Sequence, residues 1–436
     1  MSMFWTTLLS SLILTASTGT ALGAALGLTG LIILHYFADG ATSLAINAVW
    51  NILNEFTLSA IPLFIIMGEI LLESGVSKKI YNSLSGIFKR IPGGLLHTNI
   101  AVCTVFGAIS GSSLSTAAAV GSVAYPELSK RKYDDSMVVG SLAGGGTLGL
   151  LIPPSLSLLI YGALTETSIG KLFIGGIVPG ILMAILFMAY ILLRCTKNPA
   201  LWNLENEGDE TFFKSFVQFL KIWPVAFLVV AVMGSIVFGI ATPTEAAGVG
   251  VISSLILGYL WGDLTKEGVI SCFYKSAITY GSIGFVVVGA VILAQSISIL
   301  GIPQQIIETI QNFGINKYFV FALIILTYLV LGCLFDGLSL MVMTLPIVFP
   351  LMINLGFDPI WLGVVITVMI EIGQITPPVG LNLSVLVAVT DNKVGLGETA
   401  IATSPYWIIL LAGIIILTIF PSIVLFLPAS LSLIHI

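Results

Sequence analysis

Two short stretches of this sequence set oxygen-rich, flexible backbone within apolar surroundings. The first is Gly107-Ala-Ile-Ser110-Gly111-Ser112-Ser113, with Ser115 just beyond; the second is Asp336-Gly337-Leu-Ser339. Hydroxyls, and carbonyls freed at a helix break, are hard oxygen ligands suited to a bare Na+. Asp336 adds a negative charge, and a carboxylate at membrane depth is costly enough to be read as functional by default. Plainer readings stand beside these. Gly107-xxx-Gly111 is a common small-residue packing spacing, and Asp336 also fits a carboxylate at a wet loop edge.

Another constellation occurs twice: Gly149-Leu-Leu-Ile-Pro153-Pro154 and Gly373-Gln-Ile-Thr376-Pro377-Pro378. Proline lacks the N–H and clashes with the preceding turn, so two in a row interrupt a helix. Half-helix N-termini favour anionic groups and exposed carbonyl ends favour cations. One break can therefore serve a carboxylate substrate on one end and Na+ on the other; the alternative is a bent packing helix. Thr147, Pro154, Asn382 and Gln295 are candidate substrate contacts, with Tyr161 as a further guess. Glu69 and Glu371 lie inside apolar spans and carry the same suspicion as Asp336. Thr242-Pro-Thr-Glu245, by contrast, has the spacing of a helix capping box.

Membrane helices must position these residues. Of 436 residues, 57% are hydrophobic and 8% charged, and the mean hydropathy is +1.10. Soluble domains carry about 25% charged residues, so a large soluble core is excluded. The apolar run from Phe4 to Phe37 is too long for a removable signal peptide and reads as one or two membrane helices. The four cysteines and three histidines are scattered without ligand spacing, no Walker A loop is present, and nothing resembles a nucleic-acid footprint.

Basic residues mark cytoplasmic loops. They cluster around 78–90, 130–132, 194–221, 266–275 and 393, and only Lys171 and Lys317 fall outside. Basic clusters thus flank the apolar segment 95–127 on both sides, which predicts a hairpin that enters the membrane and returns. The segment 78–90 reads as a helix lying in the membrane interface, with Ile80, Tyr81, Leu84, Ile87 and Phe88 on one face.

The chain also resembles itself. Leu72 to Ile80 matches Ile299 to Ile306, Phe106-Gly107 matches Leu331-Gly332, and the two Pro-Pro motifs match, at offsets of 226, 225 and 224. Five spanning helices are counted between the two units, and an odd number turns the second upside down. The expected fold is an all-α polytopic membrane protein: inverted repeats, two re-entrant hairpins and two Pro-Pro broken helices. The expected division is 1–53, N-terminal helices; 54–193, first unit, with its hairpin at about 95–127 and broken helix at about 136–165; and 194–221, a cytoplasmic connector. Scaffold helices follow at 222–275, the second unit at 276–400 (hairpin about 318–353, broken helix about 360–390), and a C-terminal helix at 401–436.

Five motifs together resemble the large membrane subunit of TRAP (tripartite ATP-independent periplasmic) transporters, the DctM-like family. They are 61–68, Phe-Gly-Ala-Ile-Ser-Gly-Ser-Ser at 106–113, 146–155, Ala-Thr-Pro-Thr-Glu-Ala-Ala at 241–247, and Gly-Gln-Ile-Thr-Pro-Pro-Val-Gly at 373–380. The resemblance implies sodium-driven import of an organic acid, of the sialic acid or C4-dicarboxylate class, without ATP. It implies a periplasmic binding protein, a separate small four-helix membrane subunit, and elevator movement of a transport domain against a scaffold in the bacterial inner membrane. By the same resemblance Ser110, Gly111, Ser112 and Ser113 line one Na+ site with the Gly149–Pro153 break. Asp336, Gly337 and Ser339 line another with Gly373, Thr376 and Pro377. The rival readings are a stand-alone sodium- or proton-coupled anion symporter, a membrane-embedded enzyme and a passive channel.

Overall fold

The computed structural model of the chain describes residues 2–17, 20–202 and 217–432. Most of the polar connector, with Lys214, and also His435, lies outside the described residues. Among those described the architecture is all-helical, without a strand, and seven helical segments are long and apolar enough to cross a membrane.

The N-terminal region forms three helices: α1 (Ser2–Ser17), α2 (Leu22–Phe37) and α3 (Ser43–Leu53). A first series follows: α4 (Ala60–Glu73), α5 (Val76–Leu84), α6 (Leu95–Ser110), α7 (Ser113–Lys130), α8 (Asp135–Leu151), α9 (Leu156–Thr165) and α10 (Ile169–Lys197). Next come α11 (Trp223–Val237), α12 (Pro243–Leu260) and α13 (Lys266–Ile299). The second series is α14 (Ile302–Asn312), α15 (Lys317–Gly332), α16 (Gly337–Asn354), α17 (Pro359–Gln374), α18 (Leu381–Val389), α19 (Leu396–Ile419) and finally α20 (Ser422–Ser432).

Local signals recur at corresponding places in the two series. A left-handed glycine opens the short amphipathic helix of each: Gly75 (φ 66°) before α5 and Gly301 (φ 62°) before α14. An aspartate caps the first half of each broken helix. Asp134 accepts from the Met137 N–H at 3.0 Å, and Asp358 from those of Ile360 and Trp361 at 2.8 and 3.1 Å. Each broken helix stops at a Pro-Pro pair joined by a cis peptide, Pro153–Pro154 and Pro377–Pro378.

The broken helices form the centre of the protein. Every residue of α8 from Met137 to Leu151, and of α17 from Trp361 to Gln374, is buried. A helix that is apolar all round belongs in an interior, and the glycines of α8 let neighbours close in. Gly144 lies against the Tyr406 ring, and Gly146 against Ala117. The two broken helices are tied across the halves by a 2.7 Å hydrogen bond between the Ser157 and Thr367 hydroxyls.

Around this centre run α2, α4, α11, α12 and α13. Apolar side chains such as Phe227, Leu260, Ile270 and Ile278 are exposed there, as a lipid-facing surface requires. Glu73 and Lys275 form an ion pair of 2.8 Å that joins α4 to α13. Thr242 and Glu245 form the expected capping box of α12: the Thr242 amide donates to the Glu245 carboxylate at 2.8 Å, and the Glu245 amide to the Thr242 hydroxyl at 3.3 Å. One expectation shifts. The helix read over 78–90 ends at Leu84, and Ile80, Tyr81 and Leu84 are buried against α6 and α7. The apolar stripe faces protein because a nine-residue helix gains its stability from packing.

Candidate functional site

Two crossings of the same design define the candidate site. In the first, α6 meets the end of α8 through paired glycines. A methyl group added to Gly107 would come within 2.6 Å of the Gly149 Cα. Beyond Gly149, Pro153 and Pro154 bring no N–H, so the carbonyls of Gly149 and Leu150 lose their helical donors. The Ser155 hydroxyl takes the Leu150 carbonyl and accepts the Leu158 amide at 3.3 Å, which starts α9. Gly111, at φ 60°, closes the tip onto the break: its carbonyl accepts the Leu156 amide at 3.4 Å. That left-handed conformation and the nearby Pro154 carbonyl, 3.0 Å from an added methyl, leave room only for glycine.

Oxygen atoms collect beside Gly149. The Ser110 and Thr116 hydroxyls are 2.8 Å apart, and Thr116 Oγ1 donates to the Ser112 carbonyl at 2.7 Å. A methyl on Gly149 would lie 2.6 Å from Thr116 Oγ1 and 2.8 Å from that carbonyl. Ser112 also caps α7, its hydroxyl accepting the Ser115 amide at 3.4 Å. Thr116 is a candidate site residue that sequence reasoning missed; its spacing of four from Ser112 on one helix was the available signal.

In the second crossing α15 meets α17 through Gly332 and Gly373. A methyl on either would come within 2.9 or 2.6 Å of the other's Cα. Asp336 is half-buried and caps α16, its Oδ1 accepting the Leu338 and Ser339 amides at 3.1 Å each. The carboxylate therefore sits on the positive end of that helix. Gly337 abuts Ile370 and Gln374; a methyl there would be 2.8 Å from Gln374 Nε2. The Thr376 hydroxyl bonds the Ile372 carbonyl, and Thr403 reaches the break from α19, donating to the Ile375 carbonyl at 3.2 Å. Gln374 and Thr403 also escaped sequence reasoning. The first stands inside the Gly373–Pro378 motif beside residues that drew the assignment, and the second lies far along the chain.

The remaining candidates separate. Asn382 on α18 is buried and bonds Ser113 at 2.6 Å, so it reaches the first tip from the second broken helix. Thr147 is buried and bonds the Gly144 carbonyl of its own helix at 2.6 Å. Gln295 lies half-buried on α13, and no hydrogen bond joins it to either crossing among the described residues. Tyr161 is fully buried and donates to the Pro359 carbonyl at 2.8 Å, which makes it a bolt between the halves. Glu69 stands in the neighbourhood of the Glu73–Lys275 pair. Glu371 is fully buried inside α17.

The profile of the family described as tripartite ATP-independent periplasmic transporter, DctM component, matches residues 9–423. The C4-dicarboxylate TRAP transporter large permease protein DctM of Pseudomonas aeruginosa is 35% identical over 408 residues, 92% of this chain and 93% of that protein. The sialic acid TRAP transporter large permease protein SiaM of Vibrio cholerae is 30% identical over 378 residues, covering 86% of this chain and 87% of that one. In fold, the chain is similar to the Alcanivorax borkumensis YdaH transporter, with a TM-score of 0.59 at 16% identity over 88% of each chain. The two glycine crossings thus belong to a transport protein rather than to an enzyme, and the chain is a member of the DctM component family, the large permease of a bacterial TRAP transporter.

Proposed function

We propose that this chain imports an organic acid across the bacterial inner membrane, driven by Na+ and without ATP. The observation that carries the reading is the duplicated crossing, in which glycine pairs hold an oxygen-rich tip against a Pro-Pro break. Ser110, Gly111, Ser112 and Ser113, with Thr116, Gly149 and Pro153, form one Na+ site. Asp336, Gly337 and Ser339, with Gly373, Thr376 and Pro377, form the other. Carbonyls freed at breaks and clustered hydroxyls suit a dehydrated Na+, while half-helix N-termini suit the substrate carboxylate.

In this reading α6–α7 and α15–α16 are re-entrant hairpins, and the second series is inverted relative to the first. The basic clusters on both sides of 95–127 support it. The buried centre built on α8 and α17 moves as an elevator against the helices whose outer faces meet lipid. A periplasmic binding protein delivers the substrate, and a small four-helix membrane subunit packs beside the scaffold. The sialic acid and C4-dicarboxylate relatives support an organic acid of those classes.

The test is reconstitution in vesicles, first of the chain alone and then with a small subunit and a binding protein. Uptake is expected only from the complete set. Uptake by the chain alone would favour a stand-alone symporter.

A further inference from the structure

An apolar groove of about 440 Å³ opens outward between α11 and α12, far from both crossings in the chain. Phe227 and Leu228 of α11 form one wall, and Ile256, Leu257 and Leu260 of α12 the other. Leu228 and Leu257 are buried and make its floor, whereas Phe227 and Leu260 stand 63% and 83% exposed on its rims. From Ser253 to Trp261 it runs about 12 Å along the helix. No side chain of this protein fills it among the described residues.

The two helices are antiparallel neighbours, so the start of α11 lies beside the end of α12. Trp223 and Trp261 therefore close the groove at one and the same end. Indole carries an apolar ring and one N–H donor, which suits the level of lipid headgroups.

Just past the indoles come lysines. The Lys79 ammonium lies 5.8 Å from the centre of the Trp261 ring. Its place is fixed by the backbone: the Asp263 amide, in the loop after α12, donates to the Ser74 carbonyl at 2.8 Å, and α5 with Lys79 starts at Val76. Lys78 is exposed beside it, Lys221 is exposed two residues before Trp223, and Lys266 is exposed five residues after Trp261. Asp263 and Glu267 are the acids of the same stretch, while Glu73 is held by Lys275. Among the described residues this end of the groove is cationic, with four lysines against two acids.

Apolar trough, indoles and ammonium groups thus succeed one another in the order in which a phospholipid presents acyl chain, ester region and phosphate. A helix of another protein would also cover the apolar walls; the cationic end is what selects a phosphate. Lysines at the membrane surface attract anionic lipid at about 1 kcal/mol each.

We propose that the groove between α11 and α12 is a binding site for one anionic phospholipid, with an acyl chain along Phe227 and Leu260 and its phosphate held by Lys79 and Lys221. The site rests only on the chain's being a membrane permease, so its failure leaves the sodium reading untouched.

The test uses the full chain in phosphatidylcholine vesicles containing a small fraction of phosphatidylglycerol with brominated acyl chains, which quench indole fluorescence on contact. The signal of the groove is the part of the quenching lost in Trp223→Phe and Trp261→Phe. Brominated phosphatidylglycerol is expected to quench it at a several-fold lower mole fraction than brominated phosphatidylcholine. Lys79→Gln and Lys221→Gln should each raise the half-quenching fraction about fivefold, and Lys79→Arg should restore it. Equal quenching by the two brominated lipids would overturn the proposal, as ordinary contact with bulk lipid. So would loss of quenching by both lipids on adding a small subunit, which would assign the groove to a partner helix. Melting at the wild-type temperature identifies folded variants; if Lys79→Gln does not fold, the exposed Lys221→Gln decides by the same shift.

Discussion

Asn382 donates from Nδ2 to the Ser113 hydroxyl at 2.6 Å, and both side chains are buried. The bond spans 269 residues of sequence and fastens the second half of one broken helix to the tip between α6 and α7 of the other half. It makes the two halves one body at the level of the candidate sites.

Removing one partner of this bond leaves the other buried and unsatisfied, at about 1–3 kcal/mol. Ser113→Ala and Asn382→Leu are each expected to lower the melting temperature of the purified protein. The double variant should lose less than the sum, with a coupling of about 0.5–3 kcal/mol in a double-mutant cycle. Strict additivity would mean that the bond contributes nothing.

The glycine crossings leave no room for a methyl group. Gly149→Ala and Gly373→Ala are expected to cost about 1–3 kcal/mol by overpacking and to depress uptake strongly. Gly281→Ala is the control: nothing lies within 4 Å of an added methyl there, and alanine is the better helix former by about 1 kcal/mol. Equal losses at all three positions would contradict the close-packing argument.

Asp336 separates charge from capping. Asparagine caps a helix about as well as aspartate, so Asp336→Asn is expected to fold normally and to abolish sodium-driven uptake. Asp336→Ala should additionally lose about 1 kcal/mol of stability. Normal sodium dependence in Asp336→Asn would remove the carboxylate from the coupling mechanism.

Thr116→Val keeps the shape of the side chain and removes the hydroxyl that bridges Ser110 and the Ser112 carbonyl. The sodium concentration for half-maximal uptake is expected to rise about tenfold, equivalent to about 1.4 kcal/mol. An unchanged sodium requirement would place the ion elsewhere.

Much of the fold was legible because its signals are local. Pro-Pro pairs stop helices wherever they stand, Thr242-Pro-Thr-Glu245 caps from its own spacing, and apolar length marks membrane helices. The paired glycines were visible as a repeat, but their mutual contact is tertiary and no periodicity announces it. For the same reason Asn382 read as a substrate contact, although its partner Ser113 lies in the other half. Glu371 stands out as an acid in an apolar run; its full burial against the end of α8 shows only once α8 and α17 are packed together. The stripe of α5 read as lipid-facing because an apolar helix face looks the same whether protein or lipid covers it.

The central claim is that two oxygen-lined crossings couple substrate movement to sodium. The most direct measurement is accumulation of labelled organic acid in vesicles holding the chain, a small subunit and a binding protein, under an imposed inward sodium gradient. The account predicts accumulation above the external concentration, collapse when a sodium ionophore is added, and loss in Asp336→Asn. Accumulation that persists without a sodium gradient would contradict it.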